Sequence, residues 1–254
     1  MAASSYIIAF VAAIAAGFIN AIAGGGTLVT FPVLVALGIP PIAANLTNTI
    51  ALCPGYFSGV FVQRLDFTSQ KQRLWKLLPV CIMGGIGGGL LLLMTNENSF
   101  RKLIPFLILI ATILIAIQQP LRKKINDMNK NQNPETTNFK WVLILTFFAS
   151  IYGGYFGAGL GVILMAVLGL FIHESLNKLN VLKQSISFAI NISAAIFFSF
   201  SGKAIWDIAL VMAFGAVIGG SIGGKLSGFI KQEILRWIII SIGMIVTIIY
   251  FVMI

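Results

Sequence analysis

Three consecutive glycines inside an apolar run, Gly24, Gly25 and Gly26, preceded by Asn20 and followed by Thr27, are the residues of this sequence best placed to do chemistry. Glycine costs a helix interior about 1 kcal/mol per residue relative to alanine, so the run is expected to open there. An opened backbone in hydrocarbon is costly unless it faces protein or a cavity. A helix restarting near Thr27 would present N–H donors and the positive end of its dipole, which suits an anion. Close helix packing is the other use of such glycines, because small residues let backbones approach. A second, less disrupted cluster offers Gly157, Gly159 and Gly161 as a matching break.

Polar side chains follow each cluster: Asn45, Thr47 and Asn48 in one case, Lys183, Gln184, Ser185 and the deeper Asn191 in the other. Lys183 is the basic member of this set; at a span entrance it could attract an anion or snorkel to the headgroups. Asn48 and Asn191, in apolar surroundings, need hydrogen-bond partners on another helix or a ligand. Asp66 and Asp207 are expected to cap the helices that follow them, and His173 with Glu174 lies at an expected interface. Cys53 and Cys81 read as small buried hydrophobes. The sequence has no His-Glu-x-x-His arrangement, and Gly24-Gly-Gly does not sit in a Gly-x-x-x-x-Gly-Lys loop, so enzyme chemistry, ATP hydrolysis, metals and cofactors are not expected.

The elements that must position these residues are membrane helices. Of 254 residues 58% are hydrophobic and 9% charged, against roughly a quarter charged in a soluble domain. Apolar runs cover 5 to 22, 28 to 37, 42 to 62, 77 to 94, 103 to 119, 141 to 156, 160 to 172, 184 to 201, 205 to 224 and 234 to 253. They do not alternate polar with apolar residues as spanning β-strands do. The first run lacks a basic flank and reads as part of the fold, not a secretory signal. The net charge of +10 sits between the runs, where it sets topology and meets lipid; nucleic acid is not an expected partner.

The polar stretch 120 to 140 divides the chain into similar halves, 1 to 119 and 141 to 254. Each half has a glycine break, a short apolar run, a longer run led by polar residues, and a small-residue span, with Gly84 and Gly88 in one and Gly215, Gly219 and Gly223 in the other. Arg64, Lys71, Arg73 and Lys76 make 63 to 76 cytoplasmic, as do the basic residues of the linker, whereas the matching 202 to 204 turn carries only Lys203. Matched loops therefore change side, which predicts an inverted repeat with an odd number of crossings per half and both termini outside. Segments 5 to 37 then form a re-entrant hairpin, or 28 to 37 is a thin span. Internal repeats of this kind are characteristic of secondary transporters.

The run Gly17-Phe-Ile-Asn-Ala-Ile-Ala-Gly-Gly-Gly-Thr-Leu-Val-Thr-Phe-Pro-Val-Leu34, with Gly38-Ile-Pro-Pro and Ala43-Ala-Asn-Leu-Thr-Asn48, resembles the opening of the TauE/SafE sulfite exporter family, and the likeness extends over essentially the whole chain. The resemblance implies a transporter of sulfite or organosulfur anions in the bacterial cytoplasmic membrane. The second half departs from the family pattern at Leu160-Gly161-Val162, and Leu168 stands where a proline would be expected, so the two halves need not contact substrate equally.

The expectation is an all-α polytopic membrane protein of two inverted repeats, working as a secondary transporter of a small anion between them, with a proton or cation as candidate coupling partner. An anion channel and a non-transporting membrane scaffold are the alternatives.

Overall fold

The computed structural model describes residues 2–129, 139–172, 174–227, 229 and 232–252. Their regular structure is helical throughout: α1 (Ala3–Ile22), α2 (Thr27–Ala36), α3 (Pro41–Val62), α4 (Arg64–Met94), α5 (Glu97–Asn129), α6 (Phe139–Tyr155), α7 (Leu160–Phe171), α8 (Leu176–Ser199), α9 (Trp206–Leu226) and α10 (Gln232–Val252). Six of these helices are long and apolar enough to cross a membrane. The 10 residues of α2 and 12 of α7 reach only about half of a ~30 Å hydrocarbon core at 1.5 Å per residue.

Helix ends follow local chemistry. Gly24 and Gly25, at φ 82° and 107°, stop α1, because a left-handed backbone cannot continue a right-handed helix. Gly38, at φ 87°, closes α2 while Ile39 N–H returns to the Leu34 carbonyl. Pro41 opens α3 at the position its fixed φ suits.

Three boundaries differ from the sequence reading. The basic segment from Arg64 is helix rather than loop, continuous with the apolar part of α4. The polar start of α8 is also helical from Leu176, which carries Lys183 two turns into the helix instead of to its entrance. Helix α5 continues through polar residues to Asn129. Arginine, lysine and glutamine are good helix formers, so a helix need not stop where its apolar face does. Residues 130–138 of the polar stretch, His173 and Lys231 lie outside the described residues. Asp66 and Asp207 sit within the first turns of α4 and α9, whose cap positions are Gln63 and Ile205. They complement the helix dipole rather than cap it.

The packing partners show an internal symmetry. Helix α1 lies on α9 and α6 on α4; α3 lies on α9 and α8 on α4; α3 meets α8, and α5 meets α10. Exchanging α1–α5 with α6–α10 turns each of these pairs into another or into itself. Glycine makes the pairs possible. On α4, Gly84 and Gly88 meet α6 while Gly85 and Gly89 meet α8; on α9, Gly215, Gly219 and Gly223 meet α1 while Gly220 meets α3. Two stripes per helix thus seat two neighbours each, by backbone approach rather than side-chain volume.

Candidate functional site

The two helix breaks have the same hydrogen-bonded form. The Ile19 carbonyl accepts from Ala23 and Gly24 N–H, and the Tyr152 carbonyl accepts from Phe156 and Gly157 N–H. Gly26 then caps α2 and Gly159 caps α7. The breaks touch: a Cβ added to Gly24 would lie 2.8 Å from the Gly161 Cα. Gly25 lies against Ile115 and Ile239, and Gly159 against Ala111, so α5 and α10 wall the breaks.

The polar side chains tie the halves together at this contact. Asn20 Oδ1 accepts from Gly26 N–H at 2.7 Å, so one donor at the start of α2 is already used. Lys183, 1% exposed, donates from Nζ to the Asn20 carbonyl at 3.3 Å and to Asn180 Oδ1 at 2.7 Å. Its stem lies 3.5 Å from a Cβ added to Gly161. Both acceptors are neutral. The ion pairs among the described residues, Arg73–Glu174 and Lys178–Glu174, do not include it. The side chain therefore does not snorkel; its head stays inside the protein.

Asn45 and Asn180 occupy matching places in α3 and α8 and act alike. Asn45 Nδ2 donates to the Tyr155 carbonyl at the end of α6 at 2.9 Å, and Asn180 Nδ2 donates to the Ala21 carbonyl at the end of α1 at 3.0 Å. Each reaches across to the other half's break. One turn later, Asn48 stands where α8 has Lys183, and its Nδ2 lies 3.4 Å from Thr27 Oγ1. Asn45 Oδ1, Asn48 Oδ1, both amide atoms of Gln184 and Ser187 Oγ are buried without a partner.

Other residues singled out from the sequence lie elsewhere. Thr47 Oγ1 accepts from Ile205 N–H, tying α3 to the turn before α9. Asn191 Nδ2 donates to the Ser187 carbonyl within its own helix. Gln184 faces Gly59 of α3 rather than the breaks. Asn180 and Gln63, which link to Lys183, were not among the expected site residues. The signal for Asn180 was its match to Asn45; nothing in the spacing marks Gln63.

At the edge of this region Arg73 Nη1 donates to Glu174 Oε1 at 2.7 Å and Lys178 Nζ to Oε2 at 3.1 Å. The bond from Arg73 chiefly holds the Glu174 carboxyl below the usual carboxylate range.

A bundle of apolar helices with short, broken segments meeting at a buried polar cluster is the architecture of a membrane transporter. The family profile "Sulfite exporter TauE/SafE" matches residues 9–250, and the chain belongs to that family, whose members are transporters and not enzymes. It is 27% identical over 240 residues to a "Probable membrane transporter protein" of Haemophilus influenzae, covering 94% of this chain and 92% of the relative. It is 28% identical to "Probable membrane transporter protein ORF9" of a Sinorhizobium species, covering 92% and 87% of the two chains. It is likewise 28% identical to "Probable membrane transporter protein YfcA" of Escherichia coli, covering 92% and 85%. No solved structure matches the chain significantly.

Proposed function

We propose that this protein is a secondary transporter of a small anion, sulfite or an organosulfur anion, bound where the breaks at Gly24 to Gly26 and Gly157 to Gly161 meet. The observation that carries this reading is Lys183: an ammonium 1% exposed, held by two neutral oxygens. A buried charge without a counter-charge is costly, and an anion supplies that charge. The second Nδ2–H of Asn48, the first being directed at Thr27 Oγ1, and the hydroxyl hydrogen of Thr27 then supply further donors to the shell and discriminate among anions. The glycines keep both backbones close to it.

The halves, 1 to 119 and 141 to 254, joined by a cytoplasmic linker at 120 to 140, are read as inverted and as rocking about the site. Supporting this, the Tyr6 hydroxyl donates to the Asp207 carboxylate, so α1 and α9 begin at one end. Lys76 lies over the Phe139 ring where α6 begins beside α4. The charge pattern assigns these two ends to opposite sides of the bacterial inner membrane, with both termini outside. An anion moving inward opposes an inside-negative potential, so uptake needs a coupled proton or cation whereas export runs downhill.

The test is flux into liposomes holding the purified protein, offered sulfite, thiosulfate, sulfoacetate and taurine under imposed pH and voltage gradients. Saturable flux of at least one of them is expected. No flux of any, from protein shown to be folded, overturns the assigned substrate class.

A further inference from the structure

A pocket of about 500 Å³ opens between the ends of α3 and α9 and the start of α8, lined in part by Gln63, Asp66, Asn177 and Lys225. Its innermost hydrogen-bonding group leads to the buried site. Gln63 Oε1 accepts from Asn180 Nδ2 at 3.3 Å, and Asn180 Oδ1 accepts from Lys183 Nζ at 2.7 Å. Gln63 Nε2 donates to the Gly224 carbonyl at 3.4 Å. One amide side chain thus bridges α3, α8 and α9 between this pocket and the ammonium. Both of its bonds are longer than the usual 2.9–3.0 Å and join neutral groups, the weaker class of hydrogen bond.

The other end of the site is closed differently. There Asn45 holds the Tyr155 carbonyl, and the place in α8 that matches Gln63 is filled by Phe198, buried in the same apolar core as Phe31, Phe100 and Phe156. The rings of Phe31, Phe100, Tyr155 and Phe156 meet edge to face, with centroids 5.2 to 6.4 Å apart. An aromatic cluster closes one end and a single amide bridge the other. The two ends are unequal although the surrounding helices are related by symmetry.

We infer that the Gln63–Asn180 bond is the thin gate of the anion path and that the pocket outside it is the vestibule through which the anion reaches Lys183. This rests on the proposed reading of Lys183 as the anion's partner. Gln63 acts as a positioning residue: it holds Asn180 against Lys183 when the path is shut and frees both when it opens. Asn180, which bonds the Ala21 carbonyl at the end of α1, would transmit the change to the first break.

Thiol labelling tests the gate without relying on transport. In protein with Cys53 and Cys81 replaced by alanine, Thr27→Cys reports access behind the gate and Asn177→Cys reports access to the vestibule. A membrane-impermeant, anionic methanethiosulfonate is applied from each face in turn. Gln63→Ala is expected to speed labelling at position 27 by up to roughly tenfold, as losing one such bond shifts the open population. The gain should appear only from the face bearing the vestibule, with position 177 unchanged as the folding control. Gln63→Glu keeps the acceptor for Asn180 and adds charge, so it should slow the anionic reagent and leave a neutral one unaffected. An unchanged rate in Gln63→Ala, or an equal gain from the opposite face, overturns the gate. If labelling responds as described while the wild type carries none of the four candidate substrates, the gate stands and the substrate reading falls.

Discussion

Gly24 and Gly161 meet backbone to backbone across the two helix breaks: a Cβ on Gly24 would lie 2.8 Å from the Gly161 Cα, and one on Gly161 would lie 2.9 Å from the Gly24 Cα. Neither neighbour can yield by rotating a side chain. The contact therefore fixes how closely the halves approach beside Lys183, and it links the packing of the bundle to the shape of the site.

Gly161→Ala separates steric from conformational effects, since the φ of Gly161 is not positive whereas that of Gly24 is 82°. Overpacking of this kind costs about 1–3 kcal/mol. Thermal unfolding in detergent should show that loss, and flux should fall more than stability does because the breaks move apart. An alanine variant with wild-type stability and flux would mean that the contact is not tight in the working protein.

Lys183→Met keeps the volume of the side chain and removes its charge. Replacing a buried charge by an apolar group of similar shape is often neutral or stabilising by about 1–4 kcal/mol. The gain is offset because Asn180 Oδ1 and the Asn20 carbonyl lose their donor, at about 1–3 kcal/mol each, so the variant should unfold close to the wild-type temperature while anion flux drops to background. A folded, fully active Lys183→Met protein would remove Lys183 from the site.

Glu174 gives a pH dependence whose sign is fixed. Its carboxyl is held below the ordinary carboxylate range in the folded protein, chiefly by Arg73. Its contribution is thus complete above the ordinary carboxylate pKa and is lost as pH falls through the lowered folded value. Both cationic partners are partly solvated, with side-chain exposures of 36% and 37%, so the effect is small, about 0–1 kcal/mol. Glu174→Gln should be slightly less stable than wild type at neutral pH, with the difference vanishing in acid. A gap that widened in acid would contradict this assignment.

Gly88 and Gly219 hold corresponding helix pairs, Gly88 against the Ile151 carbonyl of α6 and Gly219 against the Ile14 carbonyl of α1. Alanine at either position should cost a similar amount, about 1–3 kcal/mol, measured by thermal unfolding. A large cost at one and none at the other would show that the symmetry of packing is not a symmetry of stability.

The sequence marked the breaks clearly, because three glycines in an apolar run have few structural uses and Gly24 and Gly25 do adopt positive φ. It also marked most of the helices, since apolar runs of span length leave little choice. The helical starts of α4 and α8 were hidden, because hydropathy registers the solvent around a segment and not its backbone bonding. That error had a consequence: Lys183 belongs to the interior of α8, so expecting it at an entrance left a snorkelling role open. Asn180 was visible as the counterpart of Asn45, but its meaning depends on the Ala21 carbonyl, a partner 159 residues away. Gln63 could not be found from spacing, because it ends α3 as an ordinary polar residue and acquires its place only when α8 and α9 close around it.

The most direct measurement of the central claim is counterflow in liposomes preloaded with sulfoacetate or sulfite, comparing wild type with Lys183→Met. The account predicts that unlabelled anion inside accelerates entry of labelled anion through the wild type, with saturation, and that Lys183→Met, equally folded, shows no acceleration. Entry that does not saturate or respond to anion on the far side, or equal counterflow in the two proteins, would contradict it.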